Sequence, residues 1–102
     1  MRLKEIREKF ELTQQDLTEY LGMDQKTYHN IENELTKRIK VEILIKLAFL
    51  YNVSIDYLVG ISNTKQEFPK GQEVIKKYNI NLYLVRKLRE QSIFKNEKTP
   101  AP

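Results

Sequence analysis

The order of apolar and polar positions along the chain predicts a run of short helices. Leu3, Ile6 and Phe10 recur at helical spacing, with Lys4, Glu5 and Glu8 between them, and predict a first helix from about Arg2 to Phe10. Thr13, followed three residues later by Asp16, predicts a capping box opening a second helix. Leu17 and Leu21 form the buried stripe of that helix, and Gly22 follows it as a stop. One residue later, Asp24 serves as N-cap for a third helix, with Tyr28, Ile31 and Leu35 expected to face inward. Two helices joined this tightly must cross steeply, which is a helix-turn-helix.

Val41 to Tyr51 is the most apolar run, with Ile43, Leu44, Leu47, Ala48, Leu50 and Tyr51, and predicts a central buried helix. Asn52-Val53-Ser54 ends it. Ser54 then caps a short fifth helix from Ile55 to Val59, closed by Gly60. The core is expected from Leu3, Ile6, Phe10, Leu17, Leu21, Ile31, Leu44, Leu47, Leu50, Val53 and Leu58, with Tyr20, Tyr51 and Tyr57 at its edge.

Residues 61–71 are polar and contain Pro69 and Gly71, so a linker is expected there. Beyond it the period is ambiguous. Ile80, Leu82 and Leu84 alternate like a strand, whereas Leu82, Val85 and Leu88 fit a helix. The helix formers from Arg86 to Gln91 favour two helices over 72–94. Residues 95–102 are expected to be a disordered tail. The domain reading is therefore 1–62, a linker at 63–71, an extension at 72–94, and the tail.

Charge sharpens this division. Of the net +4, residues 1–62 carry −1 and residues 63–102 carry +5. Whole-chain basicity is thus a weak pointer to nucleic acid, and any such argument must rest on local clusters. With no cysteine there is no disulfide framework or thiolate metal site, which suits a reducing compartment. No apolar stretch approaches the roughly 20 residues of a membrane span. The mixed-charge N-terminus does not read as a signal peptide. A single histidine and no cysteine leave few parts for a nucleophile–base pair, and no metal or cofactor is expected.

The segment Leu12-Thr13-Gln14-Gln15-Asp16-Leu17 through Gly22-Met23-Asp24-Gln25-Lys26-Thr27-Tyr28-His29-Asn30-Ile31-Glu32-Asn33 resembles the Cro/C1-type (XRE family) helix-turn-helix of phage repressors and bacterial regulators. Leu47 to Gly60 is similar to that family's closing signature. Three positions depart from the pattern: Thr18 where Ala is usual, Glu34 where Gly is frequent, and Tyr28 where a β-branched aliphatic is common. The resemblance implies an all-α fold: a five-helix, lambda-repressor-like DNA-binding bundle with a helical C-terminal extension.

It further implies that the third helix enters the major groove, with Gln25, Lys26, Thr27, His29 and Asn30 facing base edges. Gln14, Lys37, Arg38 and Lys40 would follow the DNA backbone. Arg7 and Glu32 would form a structural ion pair between the first and third helices. The expected partner is a double-stranded operator, with an inverted repeat read by a homodimer, in the cytoplasm of a bacterium or encoded by a phage. Residues 72–94, through Ile75, Tyr78, Leu82, Val85 and Leu88, could form the dimer surface, pack on the bundle, or receive a regulatory protein. The rival reading is an antitoxin or other interaction module whose C-terminal segment binds a partner.

Overall fold

A computed structural model describes residues 1–36, 38–68 and 72–96, and of residues 72 and 92–96 the backbone course alone. The described residues form seven helices and no strand: α1 (Leu3–Lys9), α2 (Gln14–Leu21), α3 (Gln25–Glu32), α4 (Val41–Tyr51), α5 (Ile55–Val59), α6 (Gln72–Lys77) and α7 (Leu82–Asn96). The fold is all-α.

Local chemistry sets most boundaries. The Thr13 hydroxyl accepts from the Asp16 amide at 3.1 Å, and the Asp16 carboxylate accepts from the Thr13 amide at 2.8 Å, closing the capping box of α2. Asp24 and Ser54 cap α3 and α5 by accepting from the amides of Thr27 and Tyr57. Gly22, at φ +69°, ends α2 in the left-handed region and swings the chain into α3.

The core is formed by Leu3, Ile6, Leu17, Leu21, Tyr28, Ile31, Leu47, Leu50, Val53 and Leu58, with Leu12, Tyr20, Ile43, Ala48 and Tyr51. Tyr20 and Tyr51 are fully inside it. Phe10 and Leu44, expected in the core, are only half-buried and pack on its border; Phe10 meets Tyr51 edge-on, with ring centroids 4.9 Å apart. Leu35 corrects another expectation. It is 69% exposed, because α3 stops at Glu32 and the chain turns through Glu34 at φ +58° before Leu35 can reach the bundle. Glu34 thus adopts the backbone geometry that a glycine would supply at this position. Thr18 fits where Ala is usual by donating its hydroxyl to the Gln15 carbonyl at 2.7 Å.

The ambiguous segment is helical. The alternation at 79–84 reflects a turn rather than a strand: Asn79 is left-handed at φ +52°, Ile80 is buried within the turn, and Asn81 accepts from the Leu84 amide. Leu84, Val85 and Leu88 then join Ile80 in the main core, with α7 packed on α4 and α2. Val85 and Leu88 are therefore consumed inside one chain and do not face outward. Arg89 donates to the carbonyls of Phe49 and Leu50, the last turn of α4, and its guanidinium lies over the Phe49 ring.

The segment joining the two regions is also attached. The Ser54 amide donates to Gln66, the Phe68 amide donates to Asn52, and the Phe68 ring meets Phe49 edge-on. α7 reaches Asn96, past the expected end at 94; residues 97–102 of the expected tail lie outside the described residues.

Candidate nucleic-acid interface

The two faces of α3 differ in kind. Tyr28, Ile31 and Glu32, at helical spacing, are buried. Gln25, Lys26, Thr27 and His29 are exposed, and Asn30 is half-buried at the margin. The helix start is fixed by Asp24. Hydrogen bonds from the Thr27 hydroxyl and amide hold its carboxyl below the usual range, so it stays ionised as a cap. The exposed face thus begins at a well-defined helix terminus.

The inner face is anchored by one ion pair. Arg7 Nε and Nη2 donate to Glu32 Oε2 and Oε1, both at 2.8 Å, in a bidentate fork. Arg7 Nη1 donates to the Leu12 carbonyl at 2.7 Å. The side chains are 12% and 1% exposed, so the pair lies between α1 and α3 almost out of water. Burial alone would raise the Glu32 carboxyl. The bond from Arg7, with help from Tyr28 and Gln14, outweighs that and holds it below the ordinary carboxylate range. The Arg7 guanidinium is correspondingly shifted up by its bond to Glu32.

Tyr28 sits one turn before Glu32 and is the largest fully buried side chain. Its hydroxyl neighbours Glu32. Burial pushes it far above the usual tyrosine range, as it does for Tyr51. Neither hydroxyl completes a hydrogen bond among the described residues. The spacing of Tyr28 and Glu32 predicts a shared face, but that the phenol approaches the carboxylate was not readable from the sequence.

Gln14 opens α2 and is half-buried. Its amide donates to Glu32 Oε1 and lies against His29 Nδ1, each at 3.4 Å. It bridges the first turn of α2 to α3 from within the protein. His29 is further framed by Asn33, which donates to the His29 carbonyl at 2.9 Å.

The loop after α3 brings cations beside the same face. Arg38 and Lys40 are exposed, while Lys37 lies outside the described residues. A cleft of about 410 Å³ runs between α3 and this loop, lined by Thr27, Asn30, Thr36, Arg38, Lys40 and Glu42. Two of the expected base-facing residues and two of the expected backbone-facing residues therefore share one groove. Thr36 and Glu42 were not singled out in the sequence; their position beside the basic loop is the only signal of them. The groove offers hydroxyls, an amide and two cations to a polyanion, with Glu42 as a local repulsive charge.

A helix-turn-helix family model matches residues 3–58. The chain is 36% identical over 62 residues to the uncharacterized HTH-type transcriptional regulator YobD of Bacillus subtilis, covering 61% of this chain and 54% of that protein. It is 39% identical over 72 residues to the HTH-type transcriptional regulator ImmR of the same organism, covering 71% of this chain and 53% of that protein. The chain thus spans about half the length of these curated relatives. No solved structure gives a significant match.

Proposed function

Because the chain belongs to the Cro/C1-type helix-turn-helix family over residues 3–58, we propose that it is a sequence-specific double-stranded DNA-binding regulator. It acts as a repressor, placing α3 in the major groove of an operator as a homodimer in the cytoplasm. The observation that carries this reading is the division of α3. An exposed polar edge of Gln25, Lys26, Thr27 and His29 stands on a helix whose other face is locked by Tyr28, Ile31 and the Arg7–Glu32 pair.

In this reading Gln25 and Asn30 pair with adenine edges, Lys26 donates to guanine, and Thr27 and His29 complete the contact. Arg38 and Lys40 neutralise phosphates along the cleft, and Lys37 is assigned the same role on its sequence position alone, each adding to the salt dependence of binding. Gln14 contributes by fixing the N-terminus of α2 toward the backbone. Two copies related by a two-fold axis would address an inverted repeat with half-sites about 34–36 Å apart.

The test is selection from a random duplex library by the folded protein at near-physiological salt. Enrichment of an inverted repeat is expected. A single enriched half-site would remove the homodimer and keep the DNA contact. No enrichment would overturn the reading.

A further inference from the structure

The docking of α7 leaves one of its faces uncommitted. Leu84, Val85 and Leu88 point into the core, and Arg89 is tied to the end of α4, so the rotation of α7 about its axis is fixed. The opposite line of the helix carries Tyr83, Arg86 and Glu90, spaced by three and four residues. All three are exposed, Tyr83 at 72%, with Leu82 at 37% on the shoulder. Among the described residues the ion pairs are Met1–Glu34 and Arg7–Glu32, so Arg86 and Glu90 are unengaged. Within one helix, a cation placed four residues before an acid is the less favourable order. Across a two-fold axis, the same spacing becomes complementary.

We propose that this face of α7 is where two copies of the chain meet, in antiparallel contact. The proposal rests on the homodimer reading above and names its surface. With the axis at the level of Leu88, Arg86 of one copy stands opposite Glu90 of the partner subunit, and the reverse pair forms by symmetry. Tyr83 and Leu82 extend the contact outward from each ion pair. The helix has 15 residues, so the shared face is about 22 Å long. A contact between one face of two single helices of that length covers less than the roughly 800 Å² per partner of a standard interface, and the dimer is weak and concentration-dependent. The two ion pairs fix orientation rather than affinity.

The test uses the full chain in sedimentation equilibrium at low ionic strength, with circular dichroism to check that each variant is folded. The wild type is expected to dimerise. R86E and E90R should each raise the dissociation constant at least about tenfold, since each places like charges opposite one another twice. An equimolar mixture of R86E and E90R should recover the dimer, because both cross-subunit pairs are then opposite in sign. The double variant R86E/E90R should recover it as well. If the double variant recovers but the mixture does not, the charges act within one helix and the proposal falls. If the wild type dimerises and neither reversal matters, the interface lies elsewhere and the homodimer reading stands. If the wild type is monomeric throughout, both this surface and the homodimer fall; the duplex selection tests the DNA contact separately.

Discussion

Residues 3–58 and residues 61–96 reach the same core by different means. In the first region, helix ends are closed by neighbours: Thr13 with Asp16, Asp24 with Thr27, Ser54 with Tyr57, all three apart. The second region is attached from afar. Phe68 bonds to Asn52 across 16 residues, and Arg89 bonds to Leu50 and Phe49 across 39 and 40. A region specified by local chemistry can keep its form while other parts vary. A region specified by remote partners depends on them, and substitutions should expose that dependence.

The largest effect is expected in the first region, at its buried ion pair between α1 and α3. Arg7→Ala leaves Glu32 buried and unpaired, and should cost about 3–5 kcal/mol in urea unfolding. It should also abolish DNA binding, since α3 loses its anchor. The pH profile carries the same information. Glu32 titrates lower folded than unfolded, so its stabilisation is complete above about pH 4.5, its ordinary value, and is lost as pH falls through the folded value. The buried Tyr20, Tyr28 and Tyr51 are shifted the other way. Their contribution is intact below about pH 10 and lost as pH rises beyond it. Without Arg7, burial, the largest influence on Glu32, raises its carboxyl. Unfolding followed at both extremes should therefore show the acid-side loss of stability of the wild type disappear or reverse in Arg7→Ala, while the alkaline limb stays.

Next comes Leu88→Ala, which empties part of the seam between α7 and α4. A loss of about 2–5 kcal/mol in a single cooperative transition is expected if the two regions share one core. Two separated transitions would mean that the second region is an independent layer, and the comparison would have to be redrawn. A smaller effect is expected at the exposed face of α3. Gln25→Ala or Lys26→Ala should lose about 1–3 kcal/mol of binding at a selected site and relax the base preference, with stability unchanged. Unaltered preference would mean that this face does not read bases. The smallest effect concerns Glu34. Replacing it with glycine relieves the left-handed backbone and should stabilise the fold by about 0.5–1 kcal/mol, measured as a raised Tm.

Legibility followed the same division. The five helices of the first region, the caps of α2, α3 and α5 and the turn at Gly22 could be read from residue spacing, because a cap and its partner lie within one turn. Leu35 misled because apolar periodicity continues past Glu32, whereas the backbone leaves the helix at Glu34. Ile80 and Leu82 imitated a strand because one is buried in a turn and the other opens a helix. The burial of α7 against α4 could not be chosen over its alternatives, since nothing in residues 82–89 names Leu50 as a partner. At the candidate interface, residue types and register placed Gln25, Lys26, Thr27 and Asn30 on α3. The cleft that joins two of them to Arg38 and Lys40 depends on the path of a loop, which periodicity does not encode.

The hydrogen bonds from Arg89 to the end of α4 also have a meaning in time. Capping turns close within microseconds or less, because only a few residues must be ordered. Closing a segment of some 40 residues costs more chain entropy and comes later. The first region should therefore collapse before α7 arrives, with the last carbonyls of α4 solvated in the interval. In the native protein the order reverses, and the amides of α7 should be the first of the core helices to exchange with solvent.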